Sequence, residues 1–177
     1  MSFLPENYEI PSADTGYMKF VKGENRFRVL SSAIVGSETW IEDKDGNRKP
    51  KRWPLNENVP VEEIGDTIKH FWAFVVWNYN DEKVQILEIT QKSIMKSIQA
   101  LTKDEDWGSP KDYDIVVTRE GEGLETEYQV NPKPKKDMDA GIKRFYKDLN
   151  INLKALFKNG DPFSNEEPIT DEDLESI

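Results

Sequence analysis

The sequence predicts a mainly β protein with accessory helices, arranged as a five-stranded Greek-key barrel with a helix between later strands. Three observations carry that expectation. Short runs of β-branched and aromatic residues recur between turn signals, the stretch after Thr90 switches to helical spacing, and Pro132, Lys133, Pro134, Lys135 and Lys136 then stop the strand pattern.

Each element follows in order. Residues 1–18 mix Pro, Ser, Asp and Gly with scattered apolar residues and read as an arm, with Tyr8, Ile10 and Tyr17 available to pin it. From Lys19 one long strand is expected, with Phe27, Val29, Ser31, Ala33 and Val35 on one face, Arg26, Arg28, Leu30, Ser32 and Ile34 on the other, and a bulge or bend at Gly36. Residues 40–53 form a hairpin, because Asp45, Gly46 and Asn47 tolerate positive φ. Residues 54–67 form a connecting loop with one helical turn near Val61 and Ile64. Residues 69–79 are apolar on both alternating faces, and turn at Asn78, Tyr79, Asn80 and Asp81 into a strand over 83–90. Thr90 is expected to cap a helix whose apolar stripe is Ile94, Met95, Ile98 and Leu101. Strands over 113–119 and 124–130 follow, joined by a turn at residues 120–123. One or two amphipathic helices lie within 138–157, and Gly160 opens the end of the chain. The domain boundaries expected are an arm (1–18), a barrel (19–135), a helical segment (136–160) and an acidic tail (161–177). This element order matches the small Greek-key barrel known as the oligonucleotide-binding fold.

Charge is unevenly placed. The chain of 177 residues has a net charge of -10, but residues 161–177 hold seven carboxylates and no Lys or Arg, leaving 27 acids against 24 bases elsewhere. The body is nearly neutral. A tail that swings away does not cancel a local field, which salt screens beyond about 8 Å. No hydrophobic run approaches the roughly 20 residues that span a bilayer, and the start lacks a basic region followed by an apolar stretch, so a soluble cytoplasmic protein with no membrane association is expected. With no Cys and one His, disulfides, thiolate sites and multi-His zinc sites are excluded.

Basic and aromatic residues interleave in the hairpin at Trp40, Arg48, Lys49, Lys51, Arg52 and Trp53. Aromatic faces stack on bases for about 1–3 kcal/mol each while neighbouring cations neutralise phosphates. The plainer reading is a solvated hairpin with its tryptophans tucked into the barrel. On 69–79, Lys69, Trp72, Trp77 and Tyr79 are further candidates, since aromatic residues on both faces exceed what one barrel interior needs; Arg28 joins them. Each ring taken singly is more often core, and His70 is a structural or groove-lining residue. In the tail, Asp171, Glu172, Asp173, Leu174, Glu175 and Ile177 combine anionic and apolar character suited to a partner's pocket and to competition for the groove; mere solubilisation is the alternative. Catalytic signatures are missing: no phosphate-cradling Gly-rich loop, dinucleotide fingerprint, nucleophile elbow or His-Glu-x-x-His. Asp104, Glu105 and Asp106 read as a polar loop rather than a Mg site. No enzyme activity, cofactor or metal is expected.

Several stretches together, residues 17–20 (YMKF), 23–28 (GENRFR), 69–79 (KHFWAFVVWNY), 85–92 (QILEITQK) and 123–126 (GLET), resemble a family of bacteriophage single-stranded DNA-binding proteins. The similarity spans roughly 17–135, and the tail agrees in character only. The resemblance implies an oligonucleotide-binding fold that coats single strands in phage DNA replication, recombination or repair without catalysis. Single-stranded DNA is then the expected partner, with replication or recombination proteins recruited through the tail. Some phage proteins of this function carry a zinc-binding subdomain, which a chain without cysteine cannot build. Two alternatives stay open: a single-stranded RNA-binding or annealing protein, distinguished by the 2′-hydroxyl, and an acidic interaction protein that mimics DNA.

Overall fold

The computed structural model describes residues 3–6, 16–65 and 67–164. Eight strands run in chain order as β1 (Tyr17–Met18), β2 (Gly23–Val29), β3 (Ile34–Glu42), β4 (Arg48–Pro54), β5 (Ile68–Asn78), β6 (Lys83–Ile89), β7 (Asp114–Glu120) and β8 (Glu127–Pro132). Two helices accompany them: α1 (Lys92–Lys103) between β6 and β7, and α2 (Ala140–Leu149) after β8. The protein is mainly β with accessory helices, as the residue pattern predicts. The closed five-stranded barrel is not what forms. The sheet runs β1-β6-β5-β2-β7-β8 and, among the described residues, no pairing joins its two ends.

The long strand β5 organises the sheet. One edge pairs with β6 along Trp72 to Asn78, while the other is shared, Val76 to Asn78 bonding β2 and Ile68 to Ala73 bonding β3. The sheet therefore forks, and the β3–β4 hairpin leaves the body as a three-stranded arm with the first half of β5. The single long strand expected from Lys19 to Val35 is interrupted at residues 30–33, where the chain crosses from β2 to β3. Gly36 is not a bend: it pairs with both Pro54 and Phe71 inside β3, and a Cβ there would collide with the Trp53 carbonyl and crowd the Phe157 and Phe71 rings. Only glycine permits that approach.

Two cores flank β5. Inward, Phe74 and Val76 pack with Phe27, Val29, Leu87, Ile89, Ile115 and Val117, and the α1 stripe of Ile94, Met95 and Ile98 closes over them. Outward, Phe71, Ala73, Val75 and Ile86 pack beneath Leu153 and Leu156, which lie on a 3-10 segment, Leu153–Lys158, with Tyr146 and Phe157 beside them. Much of the excess of apolar residues on 69–79 thus feeds a second core, through Phe71, Ala73 and Val75. From Ala73 onward both faces of the strand are covered, which is why that part lacks alternation.

Smaller departures have local causes. Gln91 rather than Thr90 precedes α1, without a side-chain cap. The last strand begins at Glu127 because residues Gly123–Glu125 take a 3-10 turn, and Leu124 is fully exposed. Asp139 caps α2 through the Gly141 and Ile142 amides, and Asn150 ends it in the left-handed region. Within residues 1–18, Tyr17 and Met18 pair in parallel with Ile86 and Leu87, whereas Tyr8 and Ile10 lie outside the described residues. The first tail residues belong to the fold: Phe163 meets Tyr17 edge-on at 6.4 Å, and the Asn152 amide donates to the Pro162 carbonyl.

Candidate nucleic-acid interface

Directly opposed residues of an antiparallel pair point to the same side, so register sorts the arm's side chains into two faces. Across β4, β3 and β5 one row reads Trp53, Ser37, His70, the next Lys51, Thr39, Ile68, and Val35 opposes Trp72. Lys49 opposes Ile41 on that same face. The other face carries Arg52, Glu38 and Lys69 in one row, with Trp40 opposite Pro50 and Arg48 opposite Glu42. The basic hairpin is therefore divided, and its six candidate residues do not form one surface.

The first face is aromatic and open except at Thr39, which is buried. Trp53 and Trp72 are half-buried, while Val35, Lys49, Ile68 and His70 are exposed. The Lys51 ammonium lies 5.7 Å from the Trp53 ring centroid, close enough to hold the indole by a cation–π contact. Lys51 also meets Glu63 at 2.7 Å, from the 3-10 turn Val61–Glu63 that folds over Thr39, whose hydroxyl accepts from the Gly65 amide. His70 Nδ1 stands 2.9 Å from the Gly36 carbonyl. A carbonyl only accepts, so Nδ1 is the donor in this contact. Trp53 and Trp72, whose backbone positions strand spacing sets about 12 Å apart, make with the cations at one end a stacking platform flanked by charge.

On the second face the buried charge, Arg52, is spent on the protein itself. Arg52, expected as a contact, is 9% exposed; its Nε donates to Glu38 at 2.9 Å and its Nη2 to Glu88 of β6 at 2.7 Å. The Trp40 indole is 42% exposed but its N–H donates to Glu38 at 3.2 Å. Two carboxylates share one guanidinium, and burial with a hydrogen bond to Glu38 pushes the Glu88 carboxyl up to about 8 against the pull of Arg52. This triad ties the arm to the body. Arg48 and Lys69 are exposed on this side.

The remaining candidates gather elsewhere, on the outer side of β2, β5 and β7. Arg28, also expected as a contact, is 1% exposed and opposes both Trp77 and Asp114. Its Nε donates to Asp114 at 2.7 Å, Arg26 donates to the same carboxylate at 2.8 Å, and the Tyr79 hydroxyl donates at 2.9 Å. Burial would raise the Asp114 carboxyl, but the hydrogen bonds from Arg26 and Tyr79 and the charge of Arg28 together hold it below the usual carboxylate range. Burial and the bond to Asp114 push the Tyr79 phenol up to about 12. Trp77 packs edge-on against Tyr79 at 6.5 Å. This is a structural hub under the segment 133–138, whose Lys136 carbonyl accepts from Arg28.

Of the sequence candidates, Lys49, Lys51, Trp53 and Trp72 thus share one open face, joined by Val35, Ser37 and Ile68, which residue type alone did not single out. Period-two alternation along 48–53 was the signal for that division. The tail candidates Asp171, Glu172, Asp173, Leu174, Glu175 and Ile177 lie outside the described residues. No group of acidic or histidine side chains suited to a metal occurs among the described residues.

The site is of the class in which rings and cations share an exposed sheet face. A curated protein of Escherichia phage T5, described as a probable ssDNA-binding protein, is 27% identical to this chain over 139 residues, covering 64% of this chain and 53% of its own. The chain spans about half the length of that relative. No family model matches the chain, and no solved structure matches it.

Proposed function

We propose that this protein binds single-stranded DNA with little sequence preference, coating and protecting it during phage DNA replication, recombination or repair. The observation that carries the reading is the open face, where Trp53 and Trp72 stand with Lys49 and Lys51 on one side of the arm. Stacking is indifferent to base identity, and the cations act on the phosphates. Similarity to the phage T5 protein supports the same partner. The order β2, β5, β6, α1, β7, β8 supports an oligonucleotide-binding ancestry for the body, with the β3–β4 hairpin inserted after the first strand and the barrel left open.

In this reading the acidic tail competes with DNA for the face and recruits replication or recombination proteins when DNA displaces it. The chemistry needed is binding alone, with no catalytic step. Titration of intrinsic tryptophan fluorescence with oligo-dT tests the proposal. Quenching at low salt, with affinity falling steeply as salt rises and weaker binding to duplex, is expected; no quenching, or equal affinity for duplex, refutes it.

A further inference from the structure

A cleft of about 520 Å³ opens between α1 and the crossing from β2 to β3. Its wall is apolar, made by Val29, Trp72, Phe74 and Ile98. Val35, also lining it, opposes Trp72 across the β3–β5 pair, so the cleft and the open face of the arm are one continuous surface. Its rim is polar. Gln99 projects from an exposed position on α1, and its side-chain amide makes no hydrogen bond among the described residues. Lys111 is exposed at the same rim, its ammonium donating to the Ser32 hydroxyl at 3.4 Å.

These features define a ligand: flat and apolar on its faces, hydrogen-bonding at its edge, and tied to an anion. A nucleobase on its phosphate has that chemistry. The volume falls within the roughly 300–1,000 Å³ of clefts that enclose small molecules. Resting on the single-strand reading above, we propose that the cleft takes one unstacked nucleobase of the bound strand. The base packs against Trp72, its edge meets the Gln99 amide, and Lys111 holds the adjoining phosphate. The open face then supplies general stacking, while the cleft fixes where the strand enters. Because the amide offers both a donor and an acceptor, it accommodates any base.

The test fills the cleft from its exposed rim with Ala33→Trp and, independently, Gln99→Trp. Anisotropy titrations compare each variant with the unaltered protein on labelled oligo-dT and on an abasic strand of the same length. Each variant is expected to lose affinity for oligo-dT by roughly 5- to 150-fold, the worth of one stacked base, with affinity for the abasic strand unchanged. The idea is overturned if both variants, unfolding at the temperature of the unaltered protein, bind oligo-dT as it does. A gain in affinity overturns it too, by assigning the cleft to the acidic tail. If the unaltered protein fails to bind oligo-dT, the proposed function falls first and takes the cleft with it.

Discussion

Replacing Glu88 by Gln perturbs the joint that holds the arm to the body. In the folded protein Glu88 retains its proton up to about 8, against an ordinary value of 4.5. Below 4.5 both folded and unfolded chains hold that proton. Between the two values the folded chain holds it and the unfolded chain has released it, so stability falls as pH rises, by at most about 1.4 kcal/mol per pH unit. By pH 7 the loss is on the order of 3 kcal/mol. A glutamine imitates the protonated acid, because its carbonyl still accepts from Arg52 and its amide donates to Glu38. Urea unfolding of both proteins at pH 5.5, 6.5 and 7.5 reads the difference, and other titrating groups common to both largely cancel. E88Q is expected to gain on the unaltered protein by about 1 kcal/mol for each unit of pH. A difference that stays flat across the series would falsify the buried, protonated Glu88.

Asp114→Asn strips the counter-charge from the buried Arg28 and should cost about 3–5 kcal/mol in urea unfolding; a cost below 1 kcal/mol would mean Arg28 finds another partner. The stability that Asp114 contributes is present at neutral pH and is lost as pH falls through its depressed folded value. Leu156→Ala uncovers the outer core on β5 and should cost about 2–5 kcal/mol, and an unchanged unfolding midpoint would show that the C-terminal segment does not seal that face. Deleting residues 165–177 removes six carboxylates while keeping Phe163 against Tyr17; affinity for oligo-dT should rise and its salt dependence change, whereas an unaltered salt slope and affinity would refute self-competition by the tail.

Local elements were legible because local chemistry fixes them. Asp45, Gly46 and Asn47 place the hairpin turn, with Gly46 at φ +82° and the Asp43 carboxylate accepting the Asp45 and Asn47 amides. Ile94, Met95 and Ile98 likewise announce α1 and its buried stripe. Long-range pairing was not legible. Arg52 reads as a surface cation in a basic run, and only the fold brings Glu38 and Glu88 to it from 14 and 36 residues away. The apolar surplus of β5 was visible, but its covering comes from Leu153 and Leu156, some eighty residues later, and charge and ring count say nothing of that docking. Splitting the hairpin into two faces needed only the two-residue period; deciding which face stays open needed the register with β5.

The central claim is that single-stranded DNA lies on the face of Trp53 and Trp72 rather than on that of Trp40. Measuring oligo-dT affinity for Trp53→Ala and Trp40→Ala, each checked for an unchanged fold, tests it most directly. Loss of about 1–3 kcal/mol for the first and almost none for the second is expected, and equal losses, or a loss confined to Trp40→Ala, would contradict it.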